Sequence, residues 1–344
     1  MDMPTNQEHH PDIRAALATL ARSDSAAAGR VSTALRVLLR RAYASGGPQA
    51  WGFSRLTGDG FPLEFAFTTT DTHLRYTADP GGFGQSAYGN LDDAVGLLAE
   101  LGQPPPDPQV LAYMAASQQT AADLSYGVWV GGRHLVGQAR NRPAPEDRFK
   151  LYAEVPESSL ESHLPFITTY LPFPSRLIGR PVQLRMVGLE PATGRLEFYF
   201  RMRHLEAGAL PLLLQPTGLH SRAGELADFI ERAYEHPLSE RIPGGSVGFS
   251  YGLIPGRETI VFTLFLFSRL LWGGDARIRP RFFERMRQAG QDPTAYWRFS
   301  APLAGRDVCQ TYHGLMGLAM APHAPIQLTL GVRPPPSPER RTLS

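Results

Sequence analysis

Polar and apolar residues alternate one by one over several short stretches of this chain and recur every three to four residues over others. Alternation predicts half-buried strands, and the longer period predicts amphipathic helices. The clearest strand is RLEFYFRMR at 195–203, where Arg195, Glu197, Tyr199, Arg201 and Arg203 share one face and only apolar side chains occupy the other. Gln183 and Arg185 alternate with Val182, Leu184 and Met186 in the same way. Predicted strands pair as hairpins at 61–68 with 73–78, 127–138 with 147–154, 181–189 with 195–205 and 246–253 with 259–267. A further strand is predicted at 326–332. Helical spacing predicts helices over 12–43 (divided near 23–25), 91–101 with Asn90 as cap, 108–123, 157–170, 221–234, 279–289 and 307–319.

Four or five hairpin-plus-helix units follow from this order, without the single strand–helix alternation of a parallel α/β fold. So many antiparallel hairpins favour closure, because an open sheet leaves unpaired edges. The expected fold is α+β: an antiparallel ten-stranded β-barrel ringed by α-helices, one domain over 1–344. A barrel of that size has a lumen wide enough for a ligand. With helices outside, the apolar faces point outward and the charged faces inward. Residues 1–11 and the Pro-rich 334–344 are expected to be disordered.

Composition adds one sharp fact. Of 34 basic residues, Lys150 is the only lysine. It lies in Arg148-Phe149-Lys150-Leu151-Tyr152, where alternation puts two cations and a phenol on one face. That face reads as an anion site beside an aromatic ring, or as a solvated strand face. The chain is 42% hydrophobic and 19% charged with a net charge of +2, so no nucleic-acid footprint is indicated. The basic residues are spread out, which argues against a polybasic membrane anchor, and no apolar run has transmembrane length. One cysteine, Cys309, fits a reducing compartment, and the expected location is cytoplasmic.

Phe61-Pro62-Leu63-Glu64-Phe65, then Leu74-Arg75-Tyr76, and the strand at 148–152 together resemble the aromatic prenyltransferases of the ABBA barrel, in particular the dimethylallyltryptophan synthase type. The first two segments are similar to that family's Pro-x-Glu strand and the Arg-aromatic strand after it. The strand at 148–152 is similar to its Arg-x-Lys-x-Tyr strand, and Gly274-Asp275-Ala276 and Thr311-Tyr312 fall where it has an Asp-Ala step and a late tyrosine. The resemblance implies metal-independent transfer, with no cofactor, from an allylic diphosphate to an electron-rich aromatic. The simplest donor is dimethylallyl diphosphate; the acceptor is tryptophan, an indole, a phenol or a side chain of a modified peptide. It implies that Glu64 binds and deprotonates the acceptor, and that Arg75 and Lys150 hold diphosphate. Arg201 and Arg185 are candidate further diphosphate ligands; Tyr152, Tyr199 and Tyr312 are candidate shields of the allylic cation.

Two positions depart from the pattern. Glu197-Phe198-Tyr199 stands where a second Lys-x-Tyr belongs, and Thr263-Leu264-Phe265 where a polar residue and a tyrosine are usual. A non-catalytic isoprenoid- or anion-binding barrel is therefore the alternative. Glu64 is equally a cross-strand partner of Arg75. Phe265 and Phe267 read as core packing, and Tyr251 and Tyr312 as core or site. Gly244-Gly245-Ser246-Val247-Gly248 matches a hydrolase elbow only formally, since a turn precedes it and a strand follows. Gly81-Gly82-Phe83-Gly84 also reads as a turn.

Overall fold

The computed structural model describes residues 9–44, 51–82, 90–119, 124–136, 147–156, 160–174, 177, 180–238, 240–306 and 311–337. The alternating stretches form ten strands: β1 (Leu63–Thr68), β2 (Leu74–Ala78), β3 (Val128–His134), β4 (Arg148–Glu154), β5 (Val182–Glu190), β6 (Arg195–Arg203), β7 (Ser246–Leu253), β8 (Ile260–Phe267), β9 (His313–Met320) and β10 (Gln327–Val332). Each is antiparallel to its neighbour in sequence, and β1 pairs with β10 to close a barrel. The five hairpin turns therefore gather at one rim and the helical connections leave from the other. Before β1 come α1 (Pro11–Ala21), α2 (Ser25–Leu38) and α3 (Arg40–Ala44). Later helices fill the connections: α4 (Asn90–Glu100), α5 (Pro108–Gln119), α6 (Leu160–Tyr170), α7 (Leu210–Leu214), α8 (Ala223–Tyr234), α9 (Ser268–Trp272), α10 (Asp275–Gln288) and α11 (Thr294–Phe299).

The core lies between barrel and helices. Phe65 and Phe67 of β1 meet Phe299 and Tyr296 of α11 edge-on at 5.2–5.3 Å, and Phe198 of β6 meets Phe166 of α6 at 5.9 Å. Each such ring, fully buried, stabilises the fold by roughly 1.5–3 kcal/mol relative to exposure. Tyr251 belongs to this outer layer, its hydroxyl donating to the Leu213 carbonyl of α7 at 2.6 Å. The division expected near 23–25 is real: Asp24 is extended, and its side chain accepts the Ala27 N–H at 2.8 Å to start α2.

Two expectations are corrected. The stretch read as a helix at 307–319 holds β9 from His313 onward, and 307–310, with Cys309, lie outside the described residues. Leu315, Met316, Leu318 and Met320 mimic a helical period, but Gly314 and Gly317 are there because side chains cross them. Glu64 lies over Gly314, and Phe265 and Thr263 lie over Gly317. The ends are the second correction, since 9–11 and 334–337 are packed. His9 bonds the Tyr43 hydroxyl at 2.6 Å and the Ser32 hydroxyl at 2.9 Å, and Asp12 accepts the Ser337 N–H at 2.9 Å. Arg333 lies 3.5 Å from Asp12 and 2.8 Å from Asp59. Polar composition did not reveal this, because the charges are buried as partners. Expected segments at 1–8, 83–84, 120–123, 137–138, 157–159 and 338–344 lie outside the described residues.

Candidate active site in the barrel lumen

Lys150 of β4 points into the barrel between two phenols. Its ammonium lies 4.9 Å from the Tyr152 ring centroid and 5.2 Å from that of Tyr199, whose hydroxyl accepts from it at 3.0 Å. It also forms a close ion pair with Glu197 of β6. The other Glu197 oxygen accepts from the Ser250 hydroxyl of β7 at 2.5 Å. Burial alone would raise the Glu197 carboxyl, but Lys150, Arg195 and these hydrogen bonds outweigh it and hold it at about 2. Glycines on facing strands make the room. A Cβ at Gly188 would lie 2.5 Å from the Lys150 Cε, and one at Gly131 would lie 2.9 Å from the Tyr152 ring. Phe265 of β8 joins the aromatic group 5.8 Å from Tyr199, as does Tyr152 from the other side at 5.8 Å. Phe265 is thus a lumen residue rather than core packing. Phe267 is 52% exposed at the helix-side rim, also outside the core.

Toward the turn rim the inward positions are arginines. Strand register sets Arg75 of β2 beside Arg133 of β3, and Arg133 beside Arg148 of β4. Asp71 in the β1–β2 turn binds Arg75 at 2.5 Å and Arg133 at 3.3 Å. Burial pushes the Asp71 carboxyl up, but the Arg75 guanidinium and His73 pull it below its ordinary value. Glu190 pairs with Arg148 at 3.7 Å and stands opposite Arg195, whose guanidinium crosses Gly252.

Glu64 of β1 lies elsewhere in the lumen. Its carboxyl spreads over Gly331 of β10 and Gly314 of β9, with no hydrogen-bond or ion-pair partner among the described residues. Burial pushes its carboxyl up to about 8. The cross-strand pair with Arg75 does not form: Glu64 stands opposite Thr77, and Arg75 turns to Asp71.

The structure therefore brings Lys150, Tyr152 and Tyr199 into contact and sets Arg75 on the same wall. It does not bring Arg201, Arg185 or Tyr312 to that group. Arg201 is four residues along β6 from Glu197, about 13 Å at ~3.3 Å per residue. It is exposed and donates to the Ser246 hydroxyl at 2.6 Å, which ties Ser246 into a strand pair rather than an elbow. Arg185 is the extra residue of a β-bulge between Leu184 and Met186, and its guanidinium lies 3.9 Å from Glu154. Tyr312 lies before β9, its ring under the guanidinium carbons of Arg306 and Arg333 at 4.4 and 4.6 Å. Asp275, first residue of α10, accepts the Tyr312 N–H at 3.1 Å and bonds His313 Nδ1 at 2.7 Å, so it pins the start of β9.

Sequence reasoning missed Arg133, Arg195 and Asp71. Arg195 was on the alternating face already, and Arg133 shares parity with Trp129 and Gly131 on β3. Asp71 sits in a turn, where no periodicity marks it. Among the described residues no group of three or more His, Cys, Asp or Glu is placed to hold a metal ion, and no helix is long and apolar enough to cross a membrane.

No family model and no curated protein matches the sequence. Solved structures match its fold along nearly the whole chain. The prenyltransferase PriB in ternary complex with L-tryptophan and dimethylallyl thiolodiphosphate is 16% identical with a TM-score of 0.70, covering 95% of this chain and 99% of that one. A 5-dimethylallyl tryptophan synthase from Streptomyces coelicolor, in complex with DMASPP and Trp, is 15% identical with a TM-score of 0.69 over 94% and 93%. A 6-dimethylallyltryptophan synthase from Micromonospora olivasterospora is 18% identical with a TM-score of 0.66 over 94% and 98%. The likeness is one of fold: the chain folds as the closed ten-stranded prenyltransferase barrel.

Proposed function

We propose that this chain is an aromatic prenyltransferase of the cytoplasm, and that it works without a metal ion. It would transfer a prenyl group from an allylic diphosphate, most simply dimethylallyl diphosphate, to tryptophan, another indole, a phenol or a side chain of a modified peptide. The observation that carries the reading is the lumen wall on which cations and phenols interleave: Arg75, Lys150, Tyr152 and Tyr199. The solved neighbours of the same fold, with thiolodiphosphate donor analogues and tryptophan bound, support it.

The chemistry follows from the side chains. Breaking the allylic C–O bond releases pyrophosphate, whose growing charge the arginines of that wall stabilise in place of a metal. The allylic cation left behind lies against the faces of Tyr152 and Tyr199, with Phe265 beside them, and is stabilised without being trapped. The closed strands keep water away from it. An electron-rich aromatic carbon then forms the new C–C bond, and Glu64 takes the proton that leaves. A carboxylate poised near 8 is matched to that step at neutral pH.

One observation favours a second reading. The Lys150–Glu197 pair puts a carboxylate where a donor diphosphate would sit in the pattern the sequence resembles, which suits a barrel that binds but does not transfer. Incubation with EDTA and dimethylallyl, geranyl or farnesyl diphosphate against tryptophan, tyrosine, indoles and phenols separates the two. Mass spectrometry is expected to find a prenyl adduct. Pyrophosphate release without adduct keeps the donor chemistry and rejects the acceptors tried; neither adduct nor release rejects the enzyme.

A further inference from the structure

We infer that the anion subsite of this barrel is the arginine row of the turn rim, Arg75, Arg133, Arg148 and Arg195, while Lys150 and Glu197 form a resident neutral pair that sets the donor's position. The inference rests on the proposed function and deepens it. It departs from the reading in which Lys150 grips the diphosphate.

The pair is built into three strands. Glu197 of β6 holds Lys150 of β4 through one oxygen and Ser250 of β7 through the other, and the Ser250 side chain is fully buried. Tyr199 takes another Lys150 proton at 3.0 Å. An anion reaching Lys150 must therefore also approach the Glu197 carboxylate. The two opposite charges are in contact, so at any anion position near them repulsion from Glu197 offsets attraction to Lys150.

The rim has the opposite balance. Four guanidiniums face Asp71 and Glu190, with Glu197 shared between Arg195 and Lys150, which leaves positive charge in excess. The buried Nε atoms of Arg75 and Arg133 have no hydrogen-bond acceptor among the described residues. Unmatched guanidinium charge with open N–H donors is what phosphate oxygens engage, through two parallel hydrogen bonds from one fork. A diphosphate seated there directs its prenyl chain inward past Lys150, toward Tyr152, Tyr199 and Phe265. The neutral pair then separates the leaving group from the aromatic faces that receive the cation.

Titration calorimetry of the full chain with inorganic pyrophosphate tests this. Arg133→Gln is expected to weaken binding at least tenfold, with an unchanged near-ultraviolet dichroism spectrum. Should that variant misfold, Arg148→Gln, whose guanidinium is more exposed, carries the same expectation. The double variant Lys150→Met/Glu197→Gln, which replaces the pair by neutral side chains of similar size, is expected to stay within threefold of the parent. A tenfold loss in the double variant, or unchanged affinity after loss of a folded rim arginine, overturns the inference. If the parent chain itself does not bind pyrophosphate, the proposed function falls with it; if the parent binds and only the double variant fails, this inference alone falls.

Discussion

Glu64 illustrates how a single carboxyl couples chemistry to stability. Burial holds its carboxyl at about 8 against 4.5 for the ordinary glutamate. As a base it must be ionised, so kcat/KM for the acceptor is expected to rise with pH and level off above 8, and Glu64→Gln is expected to remove most of the transfer rate while sparing pyrophosphate binding. Stability runs the other way. Between pH 4.5 and 8 the folded state keeps a proton that the unfolded chain has lost, so stability is fully present below 4.5 and declines as pH rises through 8. Glu64→Gln should erase that decline, a gain of the order of a few kcal/mol at pH 9 relative to pH 4. Urea denaturation at the two pH values measures it; equal gains at both would refute the buried, unpaired carboxyl. Glu197 is the contrast. Lys150→Met alone leaves its charge buried without the ammonium and is expected to cost about 3–5 kcal/mol, most of it recovered when Glu197→Gln is added. From the sequence, Glu197 was visible only as the wrong residue in a motif. That it binds the chain's only lysine depends on β4 and β6 both flanking β5, which no local pattern states.

At the scale of elements, alternation made most of the barrel legible. The first four hairpins lie within a few residues of their predicted bounds, because one face of each strand is apolar against helices and the other polar toward the lumen. β9 was misread for a reason the structure makes plain. Its inward positions include Leu315, Gly317 and Ala319, so the polar half of the alternation is missing and the apolar residues resemble a helix face. The lumen glycines are also a design of spacing. Gly331 has an ordinary backbone conformation, yet a Cβ there would occupy the seat of the Glu64 carboxyl. Gly331→Ala is therefore expected to lower the transfer rate at least tenfold while leaving pyrophosphate affinity within twofold. Equal losses in both would mean that the whole barrel had shifted rather than one side chain. Gly188→Ala, under Lys150, should instead disturb the ion pair and lower the melting temperature. The bulge at Arg185 shows the limit of pattern reading: one inserted residue re-aims a side chain that simple parity placed with the diphosphate ligands.

For the molecule as a whole, the sequence disclosed the class of fold and the polar interior but not the tying of its ends. The proposed chemistry depends on a closed wall, which the β1–β10 pairing completes, and Arg333 just beyond β10 ties the end of that strand to Asp12 and Asp59. Arg333→Ala is expected to destabilise the protein by about 3 kcal/mol, because it removes the guanidinium beside the fully buried Asp12 carboxylate. A shift in the urea midpoint measures this, and no shift would remove the latch from the account. The ring also dictates an order of events during synthesis. Since β1 pairs with β10, the first strand made must wait for the last. Until then a growing chain carries a curved sheet with two bare edges, each a template for mispairing with a neighbouring chain. Translation that stops short of residue 327 therefore yields an open ribbon rather than a shorter barrel, so the protein's yield in a cell is governed by whether its final stretch arrives before another edge does.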